Sequence, residues 1–228
     1  MVKVNFNTSD FKRGVADTNE LVLKNRYFEQ NPFLTDDGAA LLARPGLKHW
    51  LSVGVGPIRG IFSEPGTFNG DLFVVSYDAL FRVSQSGTVT FVTGNLFNPE
   101  RGVVNMAITG NIDSVPEYLY IADGQTLRVY DGTTVTQVAT PDDVGIIDVA
   151  VSRSFVVVIP AQGQGINGRF FWIDPGETTI NPLHFATAES APDPLYGVKV
   201  VGDLFWLPGQ STTECWYFTG DATAPVQR

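Results

Sequence analysis

The side chains in this sequence that could perform chemistry are isolated from one another. There are only two histidines, His49 and His184, and they are far apart in the chain. A zinc site needs several Cys or His ligands at short spacings. The single cysteine, Cys215, lies between Glu214 and Trp216 in an apolar segment, with no neighbouring base to activate a thiol. We therefore interpret the histidines as polar residues that flank strands and Cys215 as a buried, unreactive thiol.

Two carboxylate pairs and one glycine-rich segment also fail as reactive sites. Neighbours on a strand point to opposite faces, so Asp36-Asp37 and Asp142-Asp143 are not catalytic dyads, and their turn-like settings favour solvated loops or caps. Gly163–Gly168 has the spacing of a dinucleotide fingerprint, which requires a following helix. Phe170–Ile173 is typical of a strand instead. We predict no catalytic, cofactor-binding or metal-ligating residues, no cofactor and no enzymatic activity.

The tryptophans are the remaining candidates, because carbohydrate-binding proteins can stack sugars on aromatic rings. Trp172, Trp206 and Trp216 lie inside predicted strands, where packing between sheets is the favoured role. Trp50 is less constrained, but one tryptophan does not make a binding platform. The sequence therefore gives little support for a carbohydrate site.

An internal repeat indicates which elements position these residues. Residues 72–92 are nearly restated at 118–138: Arg82-Val83 matches Arg128-Val129 at an offset of 46 residues, and Thr88-Val89-Thr90 matches Thr134-Val135-Thr136. Looser copies follow, at a spacing of about 45 residues. A repeat of this length, filled with short β-rich runs, predicts four-stranded blades around an axis. We predict an all-β, β-propeller-like fold.

The blade pattern predicts individual strands separated by Gly- and Asp-rich turns such as Asp131-Gly132. For the first two blades the predicted strands are Arg59–Phe62, Asp71–Ser76, Ala79–Val83, Thr88–Thr93, Val103–Ala107, Tyr118–Ala122 and Thr126–Tyr130. For the next two they are Ile146–Val151, Phe155–Ile159, Arg169–Ile173, Tyr196–Val201, Leu204–Leu207 and Glu214–Phe218.

We predict two regions: an extended N-terminal arm with a connecting segment over residues 1–49, and blades over residues 50–228, about three complete and one partial. In the first region Leu21–Leu23 suggests a short strand and Ala39–Ala43 a brief helix or strand. The fourth blade shows no clear outer strand. Either the N-terminal segment supplies it and closes a small ring, or more chain once followed. Because open sheet edges are costly, the pattern favours a truncated or split product.

Bulk composition narrows the function classes. The chain of 228 residues has a net charge of −9, which argues against capture of nucleic acid by neutralising phosphates but permits a channel through which DNA slides. One cysteine cannot form an internal disulfide. The N-terminus lacks the pattern of a signal peptide, and no apolar run approaches a membrane span. We expect synthesis in the cytosol.

Several short motifs, in their order and spacing, resemble the packaged-DNA stabilisation proteins, or tail nozzle proteins (tail accessory factors), of short-tailed bacteriophages. These motifs are Asn25–Glu29, Arg44–Leu47, Gly56–Gly60, Ala188–Leu195, Glu214–Gly220 and Pro225–Arg228.

The resemblance implies a structural protein of the virion tail that is made in the bacterial host cytoplasm. Such proteins assemble with themselves as a ring, a homohexamer, below the portal and adaptor proteins, where they retain packaged DNA and form part of the ejection channel. Further implied partners are the distal tail needle or spike, the tail fibres, and double-stranded DNA that passes without sequence-specific binding or membrane insertion. The resemblance carries over no catalytic residues.

Two other function classes stay open. A carbohydrate-binding or carbohydrate-cleaving propeller for host recognition requires converging carboxylates with exposed tryptophans beside them. A propeller scaffold for other protein partners has no distinguishing composition.

Overall fold

The computed structural model describes residues 26–30, 39–43, 46, 48–95, 97, 102–110, 115–163, 166–188, 193–221 and 225–228. The chain divides into two compact units, Met1–Trp50 and Leu51–Arg228. In the first unit, strands β1 (Arg26–Gln30) and β2 (Ala39–Ala43) pair in antiparallel fashion, so the alternatives for residues 39–43 resolve to a strand. The predicted strand Leu21–Leu23 lies outside the described residues.

The second unit contains four antiparallel sheets of four strands each, which we call blades 1 to 4. Blade 1 consists of β3 (Ile58–Phe62), β4 (Leu72–Ser76), β5 (Ala79–Val83) and β6 (Val89–Thr93). Blade 2 consists of β7 (Asn105–Ile108), β8 (Leu119–Ala122), β9 (Leu127–Tyr130) and β10 (Val135–Val138). Blade 3 consists of β11 (Ile146–Ser152), β12 (Phe155–Pro160), β13 (Arg169–Ile173) and β14 (Phe185–Thr187). Blade 4 consists of β15 (Lys199–Val201), β16 (Leu204–Pro208), β17 (Thr213–Phe218) and β18 (Val226–Gln227).

This architecture confirms the predicted all-β fold of propeller blades, in an array that does not close. Within each blade the strands pair in chain order. Short 3-10 turns occur at Phe68–Gly70 and Pro141–Asp143, and no helix in the described part of the chain is long and apolar enough to cross a membrane. The predicted hairpin turn is present: the Asp131 carboxylate accepts the N–H groups of Thr133 and Thr134, and Gly132 has a positive φ of 94°.

Three outer strands were not among those predicted. Val135–Val138 completes blade 2 through pairing with β9. Phe185–Thr187 completes blade 3, and Val226–Gln227 completes blade 4 through pairing of Phe218 with Val226. The expectation of a partial fourth blade is therefore corrected, because its outer strand exists but has only two residues. A strand that short shows no alternation of apolar and polar residues, and its position is set by pairing with the neighbouring strand.

Blade packing accounts for the apolar residues. Each consecutive pair of blades encloses its own cluster of buried side chains. The clusters contain Phe73, Leu80, Met106 and Ile121 between blades 1 and 2, Tyr120, Leu127, Val156 and Phe171 between blades 2 and 3, and Val157, Phe170, Phe205 and Phe218 between blades 3 and 4. Blades 2 and 3 bury both faces, which is why their central strands are continuous apolar runs.

The two arginines matched by the sequence repeat occupy different places. Arg82 lies opposite Phe73 and points from blade 1 towards blade 2, whereas Arg128 lies opposite Ile121 and points from blade 2 towards blade 1. Both side chains enter the same interface, Arg128 over the ring of Phe97 at 5.9 Å. Successive side chains of a strand point to opposite faces, so Arg82 and Arg128 are not structurally equivalent positions. The offset between equivalent residues of blades 1 and 2 therefore differs from 46 by an odd number of residues.

Candidate functional site at the junctions between blades

The first strand of each blade contacts the first strand of the next, so β3, β7, β11 and β15 lie nearest the axis of the array. Polar bonds join them. The N–H of Val104, immediately before β7, donates to the Arg59 carbonyl of β3 at 2.9 Å. The Asn105 side-chain amide of β7 donates to the Ile147 carbonyl of β11, also at 2.9 Å. These bonds fix consecutive blades to one another at their inner edges.

A buried carboxylate makes the corresponding polar contact between blades 3 and 4. Asp148 of β11 accepts the N–H of Val198 at 2.9 Å and that of Val149 at 2.9 Å. Burial raises the pKa of Asp148, while these two N–H groups and the Lys199 ammonium at 3.9 Å act in the opposite direction. Gly197 leaves room for the contact, because a Cβ there would lie 2.5 Å from Asp148 Oδ2.

Arg59 joins blade 1 to the segment that enters blade 2. Its side chain is buried, with Nε donating to the Gly102 carbonyl at 3.0 Å and Nη1 donating to the Tyr77 carbonyl at 2.9 Å. Beside it, the Ser76 hydroxyl donates to the Gly56 carbonyl at 3.1 Å. The Gly56–Gly60 motif is thus attached to blade 1 at both ends.

Asp193 performs a similar task in the Ala188–Leu195 motif. Its carboxylate accepts the N–H groups of Ser211 and Thr212, the latter at 3.0 Å, and the Thr212 hydroxyl at 3.3 Å. These bonds, led by that from Ser211, lower the pKa of Asp193. Leu195 bridges to Gly209 in the same turn. The carboxylate therefore shapes the turn between β16 and β17.

Glu214 connects the last two motifs. It is buried on β17, accepts the indole N–H of Trp216 at 2.9 Å, and lies 3.6 Å from the Arg228 guanidinium. The Thr219 N–H donates to the Pro225 carbonyl at 3.0 Å, which holds the final segment against β17. The charged motif residues thus have structural roles, since their bonds hold segments and turns in place. These residues are Arg59, Asp193 and Glu214. Sequence reasoning missed these roles.

The residues first considered for chemistry are dispersed in the structure. His184 Nδ1 lies 3.3 Å from Asp174 Oδ2, and its ring stacks on Trp172 with centroids 5.4 Å apart. His49 is exposed in the first unit. Cys215 is half-buried, which corrects the prediction of a buried thiol: it lies on the face of blade 4 that no further blade covers.

The paired carboxylates and the glycine-rich segment are described only in part. Asp142 and Asp143 are exposed in the turn Pro141–Asp143, whereas Asp36-Asp37 lies outside the described residues. Strand β13 directly follows Gly168, as expected. Among the described residues, no three His, Cys, Asp or Glu side chains converge as metal ligands would.

The tryptophans divide between packed and open positions. Trp172 is buried between blades 3 and 4, and Trp216 packs there against Phe170 at 5.2 Å. The predicted packing role is wrong for Trp206, which is substantially exposed on the opposite face of blade 4. Alternation along β16 turns it away from blade 3. Trp50 is exposed in the first unit.

A polar cleft of about 500 Å³ lies between blades 1 and 2, but its charged groups are already engaged. Arg82 Nε donates to Asp71 at 2.6 Å, Glu117 accepts the Phe68 N–H at 2.9 Å, and Asp131 binds its own turn. The bond from Phe68 to Glu117 joins the segments of blades 1 and 2 that line the cleft.

The Asp148→Asn variant is expected to gain stability relative to the wild type as the pH rises. Folding raises the pKa of Asp148 above its usual 3.8. Its stabilising contribution is therefore complete below 3.8 and is lost as the pH rises through the raised pKa. Asparagine undergoes no such loss. Urea unfolding of both proteins from acid to neutral pH measures the difference, with exposed Asp142→Asn as control. Parallel profiles for wild type and D148N would contradict the assignment.

Asp193 is expected to respond in the opposite sense. Its pKa is lowered on folding, so its stabilising contribution is present above the usual 3.8 and is lost as the pH falls through the lowered value. The stability advantage of wild type over Asp193→Asn therefore shrinks on acidification. Thermal midpoints of both proteins over the acid range test this, and a constant difference between them would count against the turn-shaping role.

Fold and site together define a class: an all-β propeller module whose buried polar groups join blades. More particularly, the chain belongs to the family described as Bacteriophage P22 Gp10, beta-propeller, which matches residues 11–228. This match confirms the resemblance to packaged-DNA stabilisation proteins. No curated protein sequence matches the chain.

Two solved lyase structures show the same fold at low sequence identity. A catalytically inactive virginiamycin B lyase from Staphylococcus aureus with quinupristin matches with a TM-score of 0.52 and 11% identity, over 86% of this chain and 60% of the lyase. A streptogramin B lyase matches with a TM-score of 0.51 and 12% identity, over 78% of this chain and 55% of the lyase. The computationally designed Ika4 protein matches with a TM-score of 0.49 and 12% identity, over 74% of this chain and 95% of the designed protein. The chain thus spans little more than half the length of either lyase.

Proposed function

We propose that this protein is a structural, non-enzymatic component of a bacteriophage tail, the nozzle or DNA-stabilisation ring below the portal and adaptor. In this role it retains packaged DNA and forms part of the ejection channel. The observation that carries the proposal is the family match over residues 11–228. The protein is made in the host cytoplasm and acts in the virion tail.

The blade junctions support a mechanical role. Arg59, Asp148 and Glu214 are buried charged groups, and each is used to join segments of the array. Groups bound in this way hold a shape and leave no reactive centre among them. A ring that confines DNA under pressure needs such fixed joints.

The net charge of the chain suits passage of DNA. The chain carries a net charge of −9. Binding of duplex DNA depends on cations that neutralise phosphates. DNA therefore passes a ring of this protein, a homohexamer, without sequence-specific binding. The portal and adaptor proteins above and the distal needle or spike and tail fibres below complete its partners.

Negative-stain electron microscopy of the purified chain, alone and mixed with portal–adaptor complexes, tests the proposal. We expect rings, or an added layer beneath the adaptor. If the protein does not bind the portal–adaptor complexes over a range of concentrations, the nozzle role is contradicted. A clear hit on a glycan array would instead favour the carbohydrate-binding alternative.

A further inference from the structure

A patch of exposed apolar side chains surrounds a buried arginine at the junction of blades 1 and 2. Val55 is fully exposed, and Tyr77 and Val103 are 45% and 73% exposed. None of the three belongs to the clusters packed between blades. We call these three side chains, together with the Arg59 side chain beneath them, the Arg59 patch.

Hydrogen bonds from Arg59 bring two members of the patch together. Its Nη1 donates to the Tyr77 carbonyl at 2.9 Å, and its Nε donates to the Gly102 carbonyl at 3.0 Å. Gly102 directly precedes Val103 in the chain. Tyr77 and Val103 therefore border the same buried guanidinium, although they are distant in sequence.

The segment before β3 brings the third member to the same place. The Tyr77 N–H donates to the Pro57 carbonyl at 2.9 Å. A Cβ on Gly56 would lie 2.5 Å from Tyr77 Cβ, so this segment lies directly against Tyr77. Val55 immediately precedes Gly56 and thus borders the patch on its other side.

The Arg59 charge lacks a counter-charge among the described residues. The residue is 8% exposed, its two bonds are to neutral carbonyls, and Nη2 has no hydrogen-bond partner. The other buried charges at the junctions differ in this respect. Asp148 lies 3.9 Å from the Lys199 ammonium. Glu214 lies 3.6 Å from the Arg228 guanidinium. A buried charge without such a partner is costly.

We propose that the Arg59 patch binds a protein partner through an acidic side chain flanked by apolar residues. The carboxylate supplies the counter-charge that Arg59 lacks, and the apolar neighbours cover Val55, Tyr77 and Val103. Complementary charge selects the partner, and Arg and Tyr are enriched among the residues that dominate binding at interfaces. Duplex DNA does not fit this surface, because its phosphates require exposed cations. The inference does not depend on the proposed function.

The Arg59 charge lies close enough to the surface to act on a partner. Tyr77 and Gly102, whose carbonyls it binds, are both exposed residues. A docked apolar segment excludes water, and the lower local dielectric strengthens the attraction between guanidinium and carboxylate. Asp78, which follows Tyr77, is half-buried and acts against an acidic partner. Asp78→Asn should therefore bind such a partner at least as tightly as the wild type.

A library of random peptides displayed on filamentous phage, selected against the full chain, tests the proposal. We expect the enriched peptides to share an acidic residue next to aliphatic or aromatic ones. Replacing that residue by its amide in a synthetic peptide should raise the dissociation constant by about 10-fold or more, measured by fluorescence polarisation. Enriched peptides without a shared carboxylate would overturn the proposal, as would a selection that enriches none.

Two substitutions at one exposed position separate charge from loss of apolar surface. Val103→Asp should weaken binding of the acidic peptide by about 10-fold or more, because it places a like charge beside the peptide carboxylate. Val103→Lys should leave binding unchanged or strengthen it. Leu183→Asp, at an 81% exposed position in the loop between β13 and β14, is the matched control and should bind as the wild type does. Circular dichroism checks that the variants fold.

Three outcomes at this position contradict the proposal. Equal weakening by Val103→Asp and Val103→Lys would show that the surface does not select a carboxylate. Unchanged binding by Val103→Asp would place the peptide elsewhere on the chain. Self-association of the purified chain that Val103→Asp abolishes would identify a second copy as the occupant.

Discussion

Replacing Phe205 with alanine lowers the free energy of unfolding by about 3–5 kcal/mol, the usual cost of removing a large aromatic side chain from a core. Phe205 is fully buried between blades 3 and 4. Its ring contacts Phe170 at 5.6 Å and Phe218 at 5.2 Å. Rigid strands on both sides limit collapse around the resulting cavity. Because whole domains are stable by only about 5–15 kcal/mol, this one change removes a large share.

Urea unfolding followed by far-UV circular dichroism measures the effect. Leu183→Ala is the control, since that side chain is exposed in a loop and its loss should change stability by about 0.5 kcal/mol or less. A Phe205→Ala protein as stable as the control would mean that blades 3 and 4 do not pack through this cluster.

Gly60→Ala is expected to destabilise the protein by about 3 kcal/mol, as overpacking of a fixed site does. A Cβ at Gly60 would lie 2.5 Å from the Val104 carbonyl oxygen and 2.8 Å from Met106 Cε. The Met106 methyl can move, but the Val104 backbone cannot retreat easily, because its N–H is bonded to the Arg59 carbonyl. The junction of blades 1 and 2 therefore depends on the absence of a side chain.

The sign of the effect distinguishes this mechanism from a general property of glycine. Glycine to alanine at an unstrained, open position leaves stability unchanged or raises it by about 0.4–1 kcal/mol. Gly102 is such a position, because a Cβ there would have no atom within 4 Å and the backbone is not left-handed. Chemical denaturation should thus separate G60A from G102A. Similar stabilities for the two variants would show that blades 1 and 2 are not in close contact at Val104.

Most strands can be predicted from the sequence, whereas the polar bonds between blades cannot. Central strands such as Phe155–Pro160 are buried apolar runs bounded by turns, so their pattern is visible locally. Phe185–Thr187 and Val226–Gln227 are short and half-exposed, and only pairing with a neighbour makes them strands. The sequence repeat predicts the number of blades but not the register of the first two, in which Arg82 and Arg128 face each other's blade.

The polar bonds between blades join residues that are distant in the chain. Asp148 bonds to Val198, and Arg59 to Gly102, and no local pattern indicates such partners. One signal is present in the sequence: Asp148 is a carboxylate inside the apolar run Ile146–Val151, where an unpaired charge would be costly. The predictions for Cys215 and Trp206 are wrong because they require burial on both faces of the last blade, whereas that blade has a neighbour on one side.

The three buried clusters each join blades that are consecutive in the chain, so one blade provides the surface on which the next one orders. Such a one-dimensional array has cooperativity that is strongest in its middle. Among the described residues, buried clusters contact both sides of blades 2 and 3 and one side of blades 1 and 4. Amide hydrogens in the isolated chain should therefore exchange with solvent first in the terminal blades. Local opening of the isolated chain is therefore expected to begin in blades 1 and 4 and to reach blades 2 and 3 last.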